Sequence, residues 1–512
     1  MNDPLRPSSS LDSTKRTPSL DDAKATTGAV QVVDNKEIER LRKVEKHSSV
    51  FTIVAAGAGL ISDGIQNNLL TMTNVVFAQL YGKAYTSAYS TQVSNALTVG
   101  TILGQVSIGL VCDLYGRKAG ILISTACIVA GIIIATAAHG AHGSFAGFIW
   151  CLTVGRGLTG IGVGGEYPSG SASAAEAANE KMQRHRGPMF IMVTNVVLSF
   201  GTIFACSLYL IVFAAAGGTD ANYSTVWRTV FGISVIPPLI VLLFRLRMVN
   251  SKLYRDSAIQ RGPPLLLTAR FYWKSLVGTC GAWFLYDFVT FPNGVFSGTI
   301  IAQIVKAEGH EKVIKTAEYQ LLLGSIALPG AILGAFLVNP LGRRNLMCLG
   351  FTGYLVIGLI VGCAYDKLLK VVPAFVILYG LMQSFGNLGP GSVLGLASAE
   401  SYATAVRGTC YGFSAAIGKV GAVVGTQTFT PIRDNLGPRW TFIVAAVCGV
   451  VGVLVTFFFV RNDLNGDLAD EDVKFAAFLK SRGWDGTMGV QGKEALIDRE
   501  EVAGSSEGKA EE

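Results

Sequence analysis

Apolar residues run in blocks of about twenty or more along most of the chain, parted by short polar stretches. The blocks fall near residues 50–80, 88–112, 119–139, 145–176, 188–216 and 226–248, then near 273–305, 319–339, 344–365, 371–399, 407–431 and 439–460. A helix rises about 1.5 Å per residue, so about twenty residues cross a hydrocarbon core of roughly 30 Å. The pattern predicts an all-α membrane protein of twelve transmembrane helices. Residues 48–248 form one six-helix half and 273–460 the other, with a polar linker at 249–272. The polar residues 1–47 predict a disordered tail. Within it DNKEIERLRKVEKH (34–47) has helical spacing at Ile38, Leu41 and Val44. Residues 461–512 form a second tail, in which DLADEDVKFAAFLKSRGWDG (467–486) reads as a capped helix.

Composition narrows the class. Half of the 512 residues are hydrophobic and only 15% are charged, against about 25% in a soluble domain. The net charge of +7 comes with no basic face or aromatic platform, so nucleic acid is not an expected partner. Nine cysteines stand singly, without CxxC pairs or metal spacing, and read as packing residues. No nucleophile–base pairing or phosphate-binding glycine loop is visible, so neither an enzyme nor a metal or other cofactor is expected. No charged, apolar, small-residue sequence opens the chain, so no cleavable signal peptide is expected. The connections after even-numbered spans hold fifteen Lys and Arg against about nine in the others. That bias places those connections and both termini in the cytosol. The sequon Asn222-Tyr223-Ser224 falls between spans five and six, on the opposite side, and Asn222 is a candidate glycosylation site. The expectation is a monomeric, multi-pass protein of the plasma membrane.

The halves repeat each other. GLVCDLYGRKAG (109–120) lies between spans two and three, and AFLVNPLGRRNL (335–346) between spans eight and nine. SAAEAANEKMQRHRG (173–187) ends span four as LASAESYATAVRG (396–408) ends span ten. Two parallel six-span halves with these loop motifs are similar to the major facilitator architecture. Leu114 stands where that superfamily usually has an arginine after the aspartate. Asp113, Arg117, Glu176, Arg343, Arg344 and Glu400 are expected to form latches at the cytosolic ends.

Five ionisable residues fall inside spans: Asp63, Arg156, Glu166, Asp287 and Lys419. Each costs on the order of 2.5–3.5 kcal/mol at the centre of a spanning helix, so each needs a partner or a task. Arg156 and Glu166 are about 15 Å apart along the helix axis and about 80° apart around it, too far to pair with each other. Asp63 with Arg156 is the expected ion pair, opening and closing with protonation. The five histidines lie at span ends or in loops and are not expected to relay protons. With all groups ionised the cavity is net negative and a poor anion receptor. A proton on Glu166 or Asp287 frees Lys419 to hold an anion, which is the requirement for proton symport.

GRGLTGIGVGGEYPSG (155–170), WFLYD (283–287) and AAIGKVGA (415–422) resemble the site motifs of the phosphate:proton symporter branch of that superfamily. SDGIQNNLLTMTN (62–74), GGEYPSGS (164–171) and 389–422 resemble the fungal glycerophosphodiester permeases within it. The resemblance covers most of residues 50–460. It implies a substrate site of Glu166, Tyr167, Trp283, Asp287 and Lys419, proton coupling through Asp63, Arg156, Glu166 and Asp287, and a small anionic organophosphate cotransported with protons. Glu166 replaces the phosphate carriers' aspartate, Gln66 a second acid, and Gly391 an asparagine, which implies room for a larger head group. Thr194 and Asn195 are candidate polyol contacts. Import of inorganic phosphate through the same site, passive uniport, and nutrient sensing through the tails are the competing readings.

Overall fold

A computed structural model describes residues 51–484 except 219, 220, 247, 249, 250, 252, 253, 255–263, 463 and 465. The segment 34–47 and most of the predicted linker lie outside the described residues. Twelve long helices follow in the expected order: α1 (51–81), α2 (Ser87–Leu114), α3 (Arg117–Thr136), α4 (145–182), α5 (186–215) and α6 (Tyr223–Arg245), then α7 (Leu265–Ile304), α8 (Gly309–Leu341), α9 (Arg343–Cys363), α10 (Val372–Glu400), α11 (Thr404–Leu436) and α12 (Pro438–Phe459). Among the described residues eight segments are long and apolar enough to cross a membrane, one of which, 145–215, holds both α4 and α5. The helices that fall short are α1, α7 and α11. They carry Asp63, Asp287 and Lys419, so the polarity that weakens their signal is the polarity of the site.

The repeat seen in the sequence is a repeat of backbone geometry. Gly116, between α2 and α3, has φ 102° and ψ 157°; Gly342, between α8 and α9, has φ 80° and ψ 162°. Both sit in the left-handed region that side chains disfavour, which is why glycine precedes the arginine in each motif. Small residues also set the distance between the halves. A Cβ on Gly412 of α11 would collide with the Gln105 carbonyl of α2. Such residues let membrane helices pack backbone to backbone.

The helix predicted near the C terminus is α13, Leu468–Ser481, capped by Asp467, whose carboxylate accepts from the Ala469 N–H at 3.0 Å. It is docked rather than trailing. Phe475 and Leu479 pack with Tyr272 and Tyr402, beneath the first turns of α7 and α11. This contact accounts for α7 starting at Leu265, inside the stretch read as linker: Leu267, Phe271 and Tyr272 form the apolar face that α13 covers. Asp472 accepts from the Thr404 N–H at 2.5 Å and its Oγ1 at 2.9 Å, so α13 caps α11. An Asp472→Ala change is expected to cost about 1 kcal/mol, as caps do, and to speed amide exchange across 468–481. Hydrogen bonds from Ala469 and Asn179 hold the Asp467 carboxyl below its ordinary value. A carboxyl lowered on folding stabilises above the unfolded value and stops doing so as pH falls through the folded one. The docking should therefore be intact at pH 5 and loosen below about pH 4, read by the same exchange measurement.

Candidate functional site

A cavity of about 240 Å³ lies between the halves. Three π-helical segments face it: Tyr167–Ser171 of α4, Met192–Val196 of α5 and Asn387–Gly391 of α10. The α4 and α10 segments hold Pro168 and Pro390, which have no N–H to give to the helix ladder. Where the ladder opens, side chains take over: Ser392 Oγ donates to the Asn387 carbonyl at 2.6 Å, and Asn195 Nδ2 donates to Ser392 Oγ at 2.9 Å across the two halves. Asn195 is therefore engaged in a clasp between halves, and Thr194 Oγ1 donates back to the Phe190 carbonyl.

Among the described residues the charged side chains lining the cavity are Asp63, Asp287 and Lys419. Lys419 Nζ is 3.1 Å from Asp287 Oδ2, and its ammonium faces the Phe291 ring at 5.0 Å and the Tyr167 ring at 5.7 Å. It is 6% exposed and Asp287 is 4% exposed. Trp283 packs edge-on against Tyr167 at 6.2 Å and Tyr411 at 5.7 Å, forming the aromatic floor. Tyr167, Trp283, Asp287 and Lys419 thus meet at one place on the cavity wall.

One expected pairing is absent. Asp63 does not pair with Arg156: its Oδ2 accepts from the Tyr167 O–H at 2.5 Å and its Oδ1 from Asn67 Nδ2 at 2.6 Å. Arg156 Nη1 donates instead to the Gln66 carbonyl at 3.0 Å and to Gln66 Oε1 at 3.2 Å. Its Nε and Nη2 have no hydrogen-bond partner among the described residues, and the side chain is 1% exposed. Gln66, noted in the sequence only as a missing acid, is the residue that receives this guanidinium.

Glu166 does not line the cavity. It forms a two-pronged pair with Arg245 at the end of α6, Oε1 to Nη1 at 2.5 Å and Oε2 to Nη2 at 2.6 Å. Arg245 also donates to the Ala55 and Ala56 carbonyls and to Thr125 Oγ1, each at 3.0 Å. Every strong donor of this guanidinium is used, so the pair is a closed unit joining α1, α3, α4 and α6. Arg245 escaped the sequence reading because, at the edge of a span, it counts as a loop residue.

The remaining charges gather at the end of the bundle that carries the α2–α3 and α8–α9 connections, the basal end. Arg117 binds Asp113 at 2.6 Å and Glu176 at 2.9 Å; Arg407, from the other half, binds the same Glu176 oxygen at 2.9 Å. Asp113 accepts from the Gly408 and Thr409 N–H groups at 3.0 and 2.6 Å. In the mirrored arrangement Glu400 binds Arg343 and, across the halves, Arg186, both at 2.8 Å. Arg186 further donates to the Leu464 and Gly466 carbonyls. Arg344 is not part of this cluster: one residue on from Arg343, it turns about 100° away and lies over the Phe457 ring at 5.1 Å. Arg186 and Arg407 carried a signal, the Arg-Gly that follows each latch glutamate. A Glu400→Gln change leaves two buried guanidinium groups short of a carboxylate. It is expected to open the basal end, seen as faster amide exchange through 176–186 and 400–408.

Residues 51–469 match the family model described as sugar (and other) transporter. The chain belongs to that family. It is a multi-pass membrane transporter of the major facilitator fold and not an enzyme. It is 51% identical over 469 residues to glycerophosphoinositol permease 1 of Candida albicans, covering 92% of this chain and 89% of that one. It is 49% identical over 448 residues to glycerophosphoinositol transporter 1 of Saccharomyces cerevisiae, covering 87% and 86%. Among solved structures, the proton:xylose symporter XylE bound to 6-bromo-6-deoxy-D-glucose superposes with a TM-score of 0.67 at 17% identity, over 83% of this chain and 98% of that one. That likeness is one of fold. In the transporter the N-terminal half is α1–α6 and the C-terminal half α7–α12, and the cavity is their shared interface.

Proposed function

We propose that this transporter is a proton-coupled symporter importing glycerophosphodiesters, glycerophosphoinositol foremost, across the plasma membrane. One observation carries the reading: Lys419, the cation lining the cavity among the described residues, is held by Asp287 at 3.1 Å. An anion reaching Lys419 meets a carboxylate already there. A proton on Asp287 releases the lysine, so anion and proton bind better together than apart. The names of the two relatives near 50% identity support the substrate class. Asp63, beside Asp287 and bonded to Tyr167, is the second proton carrier, and Arg156, with two donors unspent, is the partner it meets in another state of the cycle. Glu166 belongs to the scaffold in this reading.

The Lys/Arg bias supports a cytosolic basal end, so the closed latches seal the cavity from the cytosol. It puts Asn222 outside, where its Oδ1 caps α6 by accepting from the Ser224 N–H at 2.9 Å. An endoglycosidase should then shift the protein's mobility on a gel. One chain contains the whole cavity, which suits a monomer.

The test is uptake of labelled glycerophosphoinositol, glycerophosphocholine and phosphate by cells lacking such carriers, with and without a protonophore. Diester uptake that rises as outside pH falls from 7.5 to 5, and collapses with the protonophore, is expected. Uptake of phosphate alone would overturn the diester assignment. Diester uptake indifferent to the protonophore would overturn the coupling.

A further inference from the structure

The cavity changes character away from the basal end. Apart from Asp63 and the Lys419–Asp287 pair no charged side chain lines it among the described residues, and the other polar lining groups are amides and hydroxyls. Asn68 of α1 lies five residues past Asp63, about 7.5 Å along the axis, roughly the length of a polyol ring with its ester oxygen. Its Nδ2 donates to the Gly64 carbonyl at 2.8 Å, leaving Oδ1 as an acceptor. Gln320 of α8 gives its Nε2 to Ser297 Oγ at 2.8 Å and likewise keeps Oε1. Gln383 of α10 has no side-chain partner among the described residues. Ser199 of α5 lines the cavity and is 7% exposed; its Oγ is enclosed and has no hydrogen-bond partner among the described residues. Buried hydroxyls are ordinarily satisfied. One without a partner, on a residue that lines a cavity, can reach a ligand by a turn about its Cα–Cβ bond.

We propose that this collar of Asn68, Ser199, Gln320 and Gln383 is the head-group subsite, and that it selects a neutral polyol. The proposal rests on the diester reading above. Polyol hydroxyls both donate and accept, which matches the mixture of open acceptors and open amide and hydroxyl groups on four separate helices. A quaternary ammonium head group would be met by a carboxylate or a cage of aromatic faces. The collar holds no carboxylate, and the rings of Tyr167 and Phe291 already face the Lys419 ammonium. The phosphate end then sits at Lys419 and the polyol end points away from the basal latches. An inositol diester fits this division better than a choline diester.

The experiment measures kcat/KM for labelled glycerophosphoinositol and glycerophosphocholine in wild type, Gln320→Leu, Gln383→Leu and Ser199→Ala, normalised to protein at the cell surface. Wild type is expected to prefer the inositol diester or to carry it alone. Each glutamine change should lower its kcat/KM about tenfold, the size of one buried neutral hydrogen bond, and reduce the inositol-over-choline preference at least about fivefold. Ser199→Ala, the smallest change, should shift that preference in the same direction and keeps the test alive should a glutamine variant fail to fold. An unchanged preference in the folded variants, or a wild type that prefers the choline diester, would overturn the collar and leave the transporter reading standing. A wild type that carries neither diester would instead remove the reading beneath it.

Discussion

A Lys419→Ala transporter is expected to reach the membrane in ordinary amounts and to lose about a hundredfold in uptake. Hydrogen bonds to a charged group contribute roughly 1.5–3 kcal/mol, and each 1.4 kcal/mol is a factor of ten. Among the described residues Lys419 is the one cation on the cavity wall, so no other of them replaces it. The change also leaves Asp287 without its partner in a buried place. Pairing Lys419→Ala with Asp287→Asn removes that stranded charge, and the double variant should be as inactive as the single one. Lys419→Arg keeps the charge but is planar and larger, and Phe291 and Tyr167 lie within 6 Å of the ammonium. It should be intermediate. A Lys419→Ala protein that kept a tenth of normal uptake would move the anion site elsewhere.

The second large effect is on folding. Glu166→Gln and Arg245→Met should each destabilise the N-terminal half by about 3–5 kcal/mol, because removing one member of a buried pair strands the other. The double variant Glu166→Gln/Arg245→Met should recover most of that loss. Gly59 offers a third entry to the same unit: a Cβ there would collide with both Arg245 Nη2 and Glu166 Oε2, so Gly59→Ala should reproduce the defect. Fluorescence-detected gel filtration of heated samples gives the readout. The motif-based expectation for Glu166 differs: a proton carrier changed to glutamine keeps its fold and loses only accumulation against a gradient. A Glu166→Gln protein of normal thermal stability that fails to accumulate substrate would return Glu166 to the coupling machinery.

The contrast between Lys419 and Glu166 shows what the sequence could carry. A charge inside an apolar run announces that it must be neutralised, and Asp63, Asp287 and Lys419 were legible for that reason. Which group neutralises it is a long-range contact with no local signature. Glu166 meets Arg245 across 79 positions. Asp63 passes over Arg156 because Tyr167 and Asn67 reach its oxygens first. The latches were legible because the two halves state the same motif twice, and the helical turn then separates Arg343 from Arg344. Helix ends were less so: the start of α7 depends on α13, which is more than two hundred residues away in sequence.

The π-helical turns also mark where the two halves stop matching. Each takes up one residue more than the α-turn it replaces. Those of α4 and α10 each hold a proline but, counted back from Glu176 and Glu400, lie about one helical turn out of register. The turn in α5 has no counterpart in α11, which is α-helical from Thr404 to Leu436. That turn belongs to the N-terminal half alone, the half that supplies Asn195 to the clasp.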